Sequence, residues 1–260
     1  MSLQATATLF PESRQRRLPS LAAAQDLQVW PRELLPFTVR LVQDAEDLSK
    51  AVEIRQAAYA RHVPALAEKL RAAEAADDSQ GNVVLLAESK LDGSSLGTMR
   101  IHTNAFATLP LEQSITLPHW LAGRRLSEAT RLGVANGKAG RMVTTLLFKA
   151  YWLYCQQAGV EWMVVAGRAP VDRQYDRLLF EDVFPGAGYI PMAHASNLPH
   201  RVMAFNVPSS QQRWVQAQHP LYEFMCETDH PDIHIGDGGV KSTGLWDSQE
   251  FCSQATSFAM

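Results

Sequence analysis

The sequence has few cysteines and none of the patterns in which cysteine or histidine usually binds metal. Cys155, Cys226 and Cys252 are widely spaced and form no CxxC pair, so neither a disulfide framework nor a zinc knuckle is predicted. There is no HExxH motif, and His230 and His234, although four residues apart, fall in a segment of weak helical character. We therefore expect no metal site and a reducing, cytoplasmic environment.

Long hydrophobic runs and an excess of charge of one sign are also lacking. No stretch approaches the roughly 18 apolar residues that a spanning helix needs, and the first ten residues do not resemble a signal peptide. The 260 residues carry 24 Lys or Arg against 27 Asp or Glu, for a net charge of −3. A chain-wide basic surface of the kind that binds nucleic acid is therefore absent. We expect an unexported protein with no transmembrane segment and no nucleic-acid partner.

Hydrophobic periodicity divides the chain into three parts. Residues 1–36 contain four prolines and no sustained period, which predicts an N-terminal extension. Residues 37–207 alternate between strand and helix patterns and form the predicted domain. Residues 208–260 hold seven Asp or Glu against two Lys or Arg and are predicted to be an acidic C-terminal extension, with a helix at 211–218.

The predicted domain combines strands and helices in mixed order. An Asp-Gly turn at Asp92-Gly93 predicts an antiparallel hairpin. This order predicts the α+β class, an α/β three-layer sandwich with a mixed, mostly antiparallel central sheet flanked by helices. Strand patterns lie at 37–42, 82–88, 96–102, 126–134, 160–166, 188–191 and 200–207, and helical spacing lies at 44–62, 65–76, 141–157 and 173–180.

The predicted strand 126–134 carries opposite charges in an otherwise apolar run. Strict alternation places Glu128, Thr130 and Leu132 on one face, and Arg131 and Gly133 on the other. One interpretation is a structural ion pair or a strand end at the surface. The other is a reactive site, in which a Glu accepts a proton or orients a nucleophile and an Arg binds an acidic or carbonyl group.

Two further arginines occupy apolar surroundings. Arg55 lies among apolar positions of a predicted helix, and Arg100 ends an apolar strand. Each side chain either extends to solvent or pairs with a nearby carboxylate. The candidate carboxylates are Glu53, Glu88 and Glu128.

The loop after the charged strand, Asn136–Arg141, contains two glycines and two cations and leads into a predicted helix. Free amides at a helix start, together with cations, can bind phosphate, although such a loop is also an ordinary turn. It matches neither GxxxxGK[ST] nor GxGxxG, so no P-loop or dinucleotide site is predicted. Residues 124–177 hold nine Lys or Arg against four Asp or Glu, which favours either a solvated face or a docking surface for an acidic partner.

Three short segments carry a resemblance to a known family. They are Glu53-Ile-Arg55-Gln-Ala-Ala-Tyr59, Leu96-Gly-Thr-Met-Arg100 and Glu128-Ala-Thr-Arg-Leu132. They resemble an Arg-containing first helix, a Gly-x-x-Arg strand and a Glu-x-Ser/Thr-Arg-Phe/Leu signature. Together with the order of elements over 37–207, they resemble the GNAT acyltransferase superfamily, in the branch of long-chain N-acyl amino acid synthases and acyl-homoserine-lactone synthases.

The resemblance implies transfer of a fatty acyl group from the thioester of acyl carrier protein, or of coenzyme A, to the α-amine of an amino acid. Glu128 would be the base or orienting carboxylate. Arg131 and Arg100 would hold Glu128 and shape the site, and Arg55 would meet the acceptor carboxylate. The donor is a substrate, so no tightly bound cofactor is implied.

Other positions follow from the same resemblance. Thr130 would lie in the substrate site, and backbone amides near Leu132, Gly133 and Val134 would stabilise the oxyanion. The amides of the next helix start would receive the phosphate of the pantetheine arm. The residues so assigned are Lys138, Ala139, Gly140, Arg141 and Met142.

Two departures refine the expectation. Lactone synthases of this branch carry a Trp and a spaced acidic pair after the first helix, whereas here no Trp intervenes and Asp77-Asp78 are adjacent; this disfavours an S-adenosylmethionine acceptor. The phosphate loop lacks the full Arg/Gln-x-x-Gly-x-Gly/Ala of coenzyme A users, which favours a carrier-protein donor. The alternatives are an acetyl-CoA-dependent N-acetyltransferase and a non-catalytic binding or regulatory module of the same fold.

Overall fold

The structure, a computed structural model, describes residues 30–236. Nine strands and five α-helices lie in this range. The strands are β1 Phe37–Leu41, β2 Asn82–Ser89, β3 Ser95–Thr103, β4 Leu126–Val134, β5 Trp162–Gly167, β6 Glu181–Asp182, β7 Ile190–Met192, β8 Leu198–Asn206 and β9 Ile233–His234. The helices are α1 Ala45–Ala60, α2 Pro64–Lys69, α3 Gly137–Gln157, α4 Asp172–Arg177 and α5 Ser210–Gln216.

All nine strands belong to one mixed sheet. Its order is β6-β8-β5-β4-β3-β2-β1-β9, and β7 pairs with β8 beside this path. The pairs β4–β5 and β1–β9 are parallel, and the others are antiparallel. The predicted fold class is therefore confirmed, including the hairpin of β2 and β3.

Alternation along β2 shows how helices cover both faces of the sheet. Leu85 and Ala87 belong to the core that α3 fills on one face, whereas Val84 and Leu86 pack with Ala51 of α1 on the other. Successive strand residues point to opposite faces, so a continuous apolar run is needed here. This arrangement explains why β2 reads as an unbroken hydrophobic segment.

The bounds of two predicted helices differ most from those in the structure. The helix predicted at 65–76 ends at Lys69, because the backbone of Glu74 is extended and its N–H donates to Asp77 Oδ2 at 2.8 Å. The helix predicted to begin at residue 141 begins at Gly137, after the N-cap residue Asn136. Most of the predicted exit loop is therefore the first turn of α3.

A bulge interrupts β4 at Arg131, whose φ is +55°. Arg100 pairs with Thr130 and Thr98 with Gly133, so two residues of β4 lie opposite one residue of β3. On the other side, β4 pairs with β5 only as far as Ala129. The two parallel strands diverge beyond that point, and a cavity lies in the gap between them.

Residues 221–236, which we call the C-terminal strap, pack against α3 and β1. Lys149 Nζ of α3 donates to the carbonyls of Phe224 and Thr228 at 2.6 and 2.7 Å and lies 2.7 Å from His230 Nδ1. β9 then adds to the outer edge of β1, and Asp232 accepts from the Leu35 N–H at 2.8 Å. The division of the chain at residues 36 and 208 stays a prediction.

None of the helices described is long and apolar enough to cross a membrane.

Candidate functional site

A cavity of about 460 Å³ lies where β4 and β5 diverge. Its walls come from α1, β4, the start of α3, the segment from β5 to α4, and β8. Four arginines and two histidines line it, and among residues 30–236 no Asp or Glu does. The lining arginines and histidines are Arg61, Arg131, Arg141, Arg168, His62 and His200. The cavity therefore favours a ligand that carries negative charge.

A buried ionic cluster lies beside the cavity. Arg55 Nη2 donates to Asp77 Oδ1 at 2.7 Å, and Arg100 Nη1 lies 3.1 Å from both Asp77 Oδ1 and Glu74 Oε2. Arg131 binds Glu74 through Nε and Nη2, each at 2.7 Å. Three guanidinium groups thus share two carboxylates and leave one positive charge in excess.

The electrostatics of the cluster keep both acids ionised. Burial by itself raises the pKa of Glu74 and of Asp77, but hydrogen bonds and charge interactions with the arginines outweigh it. Each pKa therefore lies below its ordinary value. The cluster is a permanently charged support for Arg131, which is its one arginine that lines the cavity.

Glu128 is fully buried and does not line the cavity. Its Oε2 accepts the Leu111 N–H at 2.9 Å, whereas Oε1 has no hydrogen-bond partner and lies 3.8 Å from His194 Nε2. Burial raises the pKa of Glu128 to about 8. Arg100 and Arg131 were expected to bind this carboxyl, but they do not, because both arginines bind the Glu74–Asp77 pair instead.

Thr130, which lines the cavity, joins it to a second buried polar group, His102. Its Oγ1 lies 2.9 Å from His102 Nε2, and Arg100 Nε lies 3.1 Å from the same nitrogen. Burial and then the charge of Arg100 lower the pKa of His102 to about 3. His102 is therefore a neutral imidazole held between Thr130 and Arg100.

The start of α3 forms the opposite end of the cavity. No side chain caps its first amides, and Asn136, Gly137, Gly140 and Arg141 line the cavity. Gly140 is required, since a Cβ there would lie 1.8 Å from the Ala135 carbonyl oxygen. Free amides at the start of a 21-residue helix favour an anion.

Comparison with solved structures finds the same arrangement of elements. The N-acyl amino acid synthase FeeM from uncultured soil microbes matches with a TM-score of 0.55 and 16% identity, over 73% of this chain and 97% of that one. BjaI, a CoA-dependent acyl-homoserine lactone synthase with SAM and isopentyl-CoA, matches with a TM-score of 0.50 and 14% identity, over 75% and 93%. The chain has the GNAT fold. No protein-family model and no curated protein matches the sequence.

Within this GNAT fold the residues assigned from the sequence separate into three groups. Several line the cavity: Thr130, Arg131, Leu132, Gly133, Val134, Gly140 and Arg141. Three are buried and do not line it: Glu128, Arg100 and Arg55. The last three, Lys138, Ala139 and Met142, lie in the first turns of α3 outside the lining.

Some residues of the site were not predicted from the sequence, and one was predicted on the wrong face. Alternation put Arg131 on the face opposite Glu128, but the bulge turns its guanidinium to the side of His194, whose carbonyl it contacts at 3.1 Å. Arg55 and Arg100 pair with Glu74 and Asp77, not with the three carboxylates considered. The pattern Arg100-Ile-His102 places His102 on the same face of β3 and could have identified it.

A pH prediction follows from the buried carboxyl. The folded protein binds a proton at Glu128 up to about pH 8, whereas the unfolded chain loses it near pH 4.5. The free energy of unfolding should therefore fall as pH rises from about 4.5 to 8, with a slope approaching about 1.4 kcal/mol per pH unit from this group. Glu128→Gln should remove that slope.

Urea denaturation of both proteins at pH 5, 6.5 and 8 measures the difference. Glu68→Gln, at an exposed carboxylate 60% accessible, serves as the control and should follow the wild type. Parallel pH curves for wild type and Glu128→Gln would contradict the prediction.

Proposed function

We propose that this chain transfers a fatty acyl group from the thioester of an acyl carrier protein, or of coenzyme A, to the α-amine of an amino acid. The observation that carries the proposal is the cavity, lined by four arginines and no carboxylate among the described residues, between the start of α3 and the buried arginine cluster. Both substrates bring an anionic group to such a cavity. The likeness of fold to FeeM and BjaI is consistent with this reaction.

The donor arm is assigned to the α3 end of the cavity. The first amides of α3 would receive the phosphate of the pantetheine arm, with Arg141 and Arg168 as the nearby cations. Arg168 forms no ion pair with any carboxylate in the described part of the chain and is therefore available to an anion. An acidic carrier protein fits the basic excess of residues 124–177.

The acceptor carboxylate is assigned to Arg131. Arg55, the residue expected from the sequence, is fully buried and engaged by Asp77, so it supports the cluster and does not reach the acceptor. Arg131 lines the cavity, and its Nη1 has no partner among the residues described. A guanidinium with a free N–H binds a carboxylate by a charge-assisted hydrogen bond.

The same lining disfavours cationic acceptors. The lining arginines would repel a polyamine, an aminoglycoside or the sulfonium of S-adenosylmethionine, and no carboxylate among the described lining residues would attract it. Asp77 and Asp78 are the adjacent acids in the sequence, but the structure brings together Glu74 and Asp77, which are three residues apart. Both are neutralised by arginines, and neither lines the cavity.

The reaction joins the amine nitrogen to the thioester carbon and releases the thiol. The neutral amine would attack the carbonyl carbon, and a base would take the proton of the amine. The backbone amides of Leu132–Val134, which line the cavity, would stabilise the oxyanion. Glu128 is our candidate base, reached through water because it does not line the cavity. Its pKa near 8 makes its ionised form a better proton acceptor than an ordinary carboxylate.

The test is an assay of the purified full-length protein with palmitoyl-carrier protein, palmitoyl-CoA and acetyl-CoA, each with leucine, lysine, spermidine or S-adenosylmethionine, followed by mass spectrometry. We expect N-palmitoyl leucine, formed faster from the carrier protein. Turnover with acetyl-CoA alone would overturn the proposal in favour of an acetyltransferase, and binding without turnover would favour a regulatory module. Lipid extracts of cells producing the protein or its Glu128→Gln variant provide the matched test in vivo.

A further inference from the structure

In the hydrogen bond between Thr130 and His102, the neighbouring Arg100 determines which of the two side chains donates the hydrogen. Three atoms meet here: Thr130 Oγ1 and Arg100 Nε lie 2.9 and 3.1 Å from His102 Nε2, and 3.4 Å from each other. A histidine nitrogen is either a donor or an acceptor, depending on its tautomer. A hydroxyl beside it takes the complementary role.

Arg100 Nε always carries a hydrogen, because the guanidinium does not lose its proton in proteins. An N–H donor cannot approach a second N–H at 3.1 Å in a hydrogen bond, so His102 Nε2 must present its lone pair to Arg100. The Thr130 hydroxyl then donates its single hydrogen to the same lone pair. The low pKa of His102 agrees with this neutral, accepting nitrogen.

This direction determines what Thr130 offers to a ligand. A hydroxyl has one hydrogen and two lone pairs. The hydrogen is donated to His102, and Arg100 Nε, 3.4 Å away, contacts one lone pair. The second lone pair is left for a ligand, so Thr130, which lines the cavity, acts as an acceptor. An oxyanion needs a donor and is not stabilised there, whereas an amine N–H finds a partner.

We propose that Thr130 accepts a hydrogen bond from the attacking amine of the acceptor, and that His102 is the positioning residue that fixes this polarity. The inference rests on the proposed function and makes it more specific. Thr130 and Arg131 are adjacent, and both line the cavity. Amine and carboxylate would thus be bound by neighbouring residues, which suits an α-amino acid, in which one carbon carries both groups.

Steady-state kinetics with palmitoyl-carrier protein and leucine tests the assignment. Thr130→Val should raise the KM for leucine about 10-fold, as loss of one hydrogen bond implies, and leave the KM for the donor unchanged. Thr130→Ser should restore the wild-type value. Thr98→Val is the control for loss of a buried hydroxyl, since Thr98 donates to the Leu85 carbonyl at 2.8 Å and does not line the cavity.

Variants of His102 separate positioning from packing. His102→Leu removes the acceptor and frees the hydroxyl hydrogen, so its KM for leucine should rise as in Thr130→Val, whereas His102→Gln offers an oxygen to Thr130 and should recover most of the loss. A His102→Leu variant with wild-type KM for leucine would overturn the inference, as would equal effects of Thr130→Val and Thr98→Val. If the wild type acylates no amino acid, the proposed function itself fails, which is a distinct outcome.

Discussion

Replacing Arg131 by Gln is expected to raise the KM for the amino acid acceptor about 100-fold while leaving the KM for the acyl donor close to that of the wild type. Arg131 lines the cavity and has a free Nη1. A hydrogen bond between charged groups contributes about 1.5–3 kcal/mol, and each 1.4 kcal/mol is a factor of ten in affinity. Steady-state assays with leucine and leucinamide measure the effect.

The amide substrate is the internal control. Wild type should prefer leucine to leucinamide strongly, because leucinamide has no carboxylate, and the variant should lose most of that preference. Glu74 stays ionised in the variant, since Arg55 and Arg100 still contact it. Arg141→Gln, at the α3 end of the cavity, should raise the donor KM instead. An unchanged leucine-to-leucinamide ratio in Arg131→Gln would show that the carboxylate binds elsewhere.

Arg55→Met should cause the largest loss of stability of any single substitution in the cluster, about 3–5 kcal/mol in the free energy of unfolding. Arg55 is fully buried and binds both oxygens of Asp77, which is also buried. Methionine fills a similar volume but leaves Asp77 with Arg100 as its remaining cationic partner. A buried carboxylate that is incompletely paired destabilises the folded protein, because the free-energy cost of its desolvation is no longer offset.

Urea denaturation measures this loss against an exposed pair. Arg71 binds Glu68, and both side chains are more than half exposed, so Arg71→Met should change the free energy of unfolding by less than about 1 kcal/mol. Adding Asp77→Asn to Arg55→Met should recover part of the stability, because the buried charge is then removed. Equal losses for Arg55→Met and Arg71→Met would contradict the prediction.

The parts of the fold that follow from local patterns were predictable. β4 was predicted with its observed bounds of 126–134, because the segment alternates between two faces and ends at a glycine-containing loop. The hairpin of β2 and β3 was fixed by Asp92-Gly93. The order of elements, together with three short segments, was enough to predict the GNAT fold, although no single arginine was specific.

The site depends on contacts that local patterns do not contain. Glu74 lies 57 residues from Arg131 in sequence, and it was assigned to a helix since its neighbours are strong helix formers. The carboxylates of Glu74 and Asp77 are instead held by arginines from three other elements, which favours an extended backbone at Glu74. The bulge was equally hidden, because a positive φ at an arginine has no sequence signature.

The pairing of β9 with β1 has a consequence for the order of folding. Val39 of β1 pairs with Ile233 of β9, which is synthesised about 190 residues later. The outer edge of β1 therefore stays unpaired until most of the chain has left the ribosome. An uncovered edge strand is a template for association with other chains, and contacts this distant in sequence form slowly. We therefore expect the strap to close last and a chain truncated before residue 221 to aggregate during synthesis.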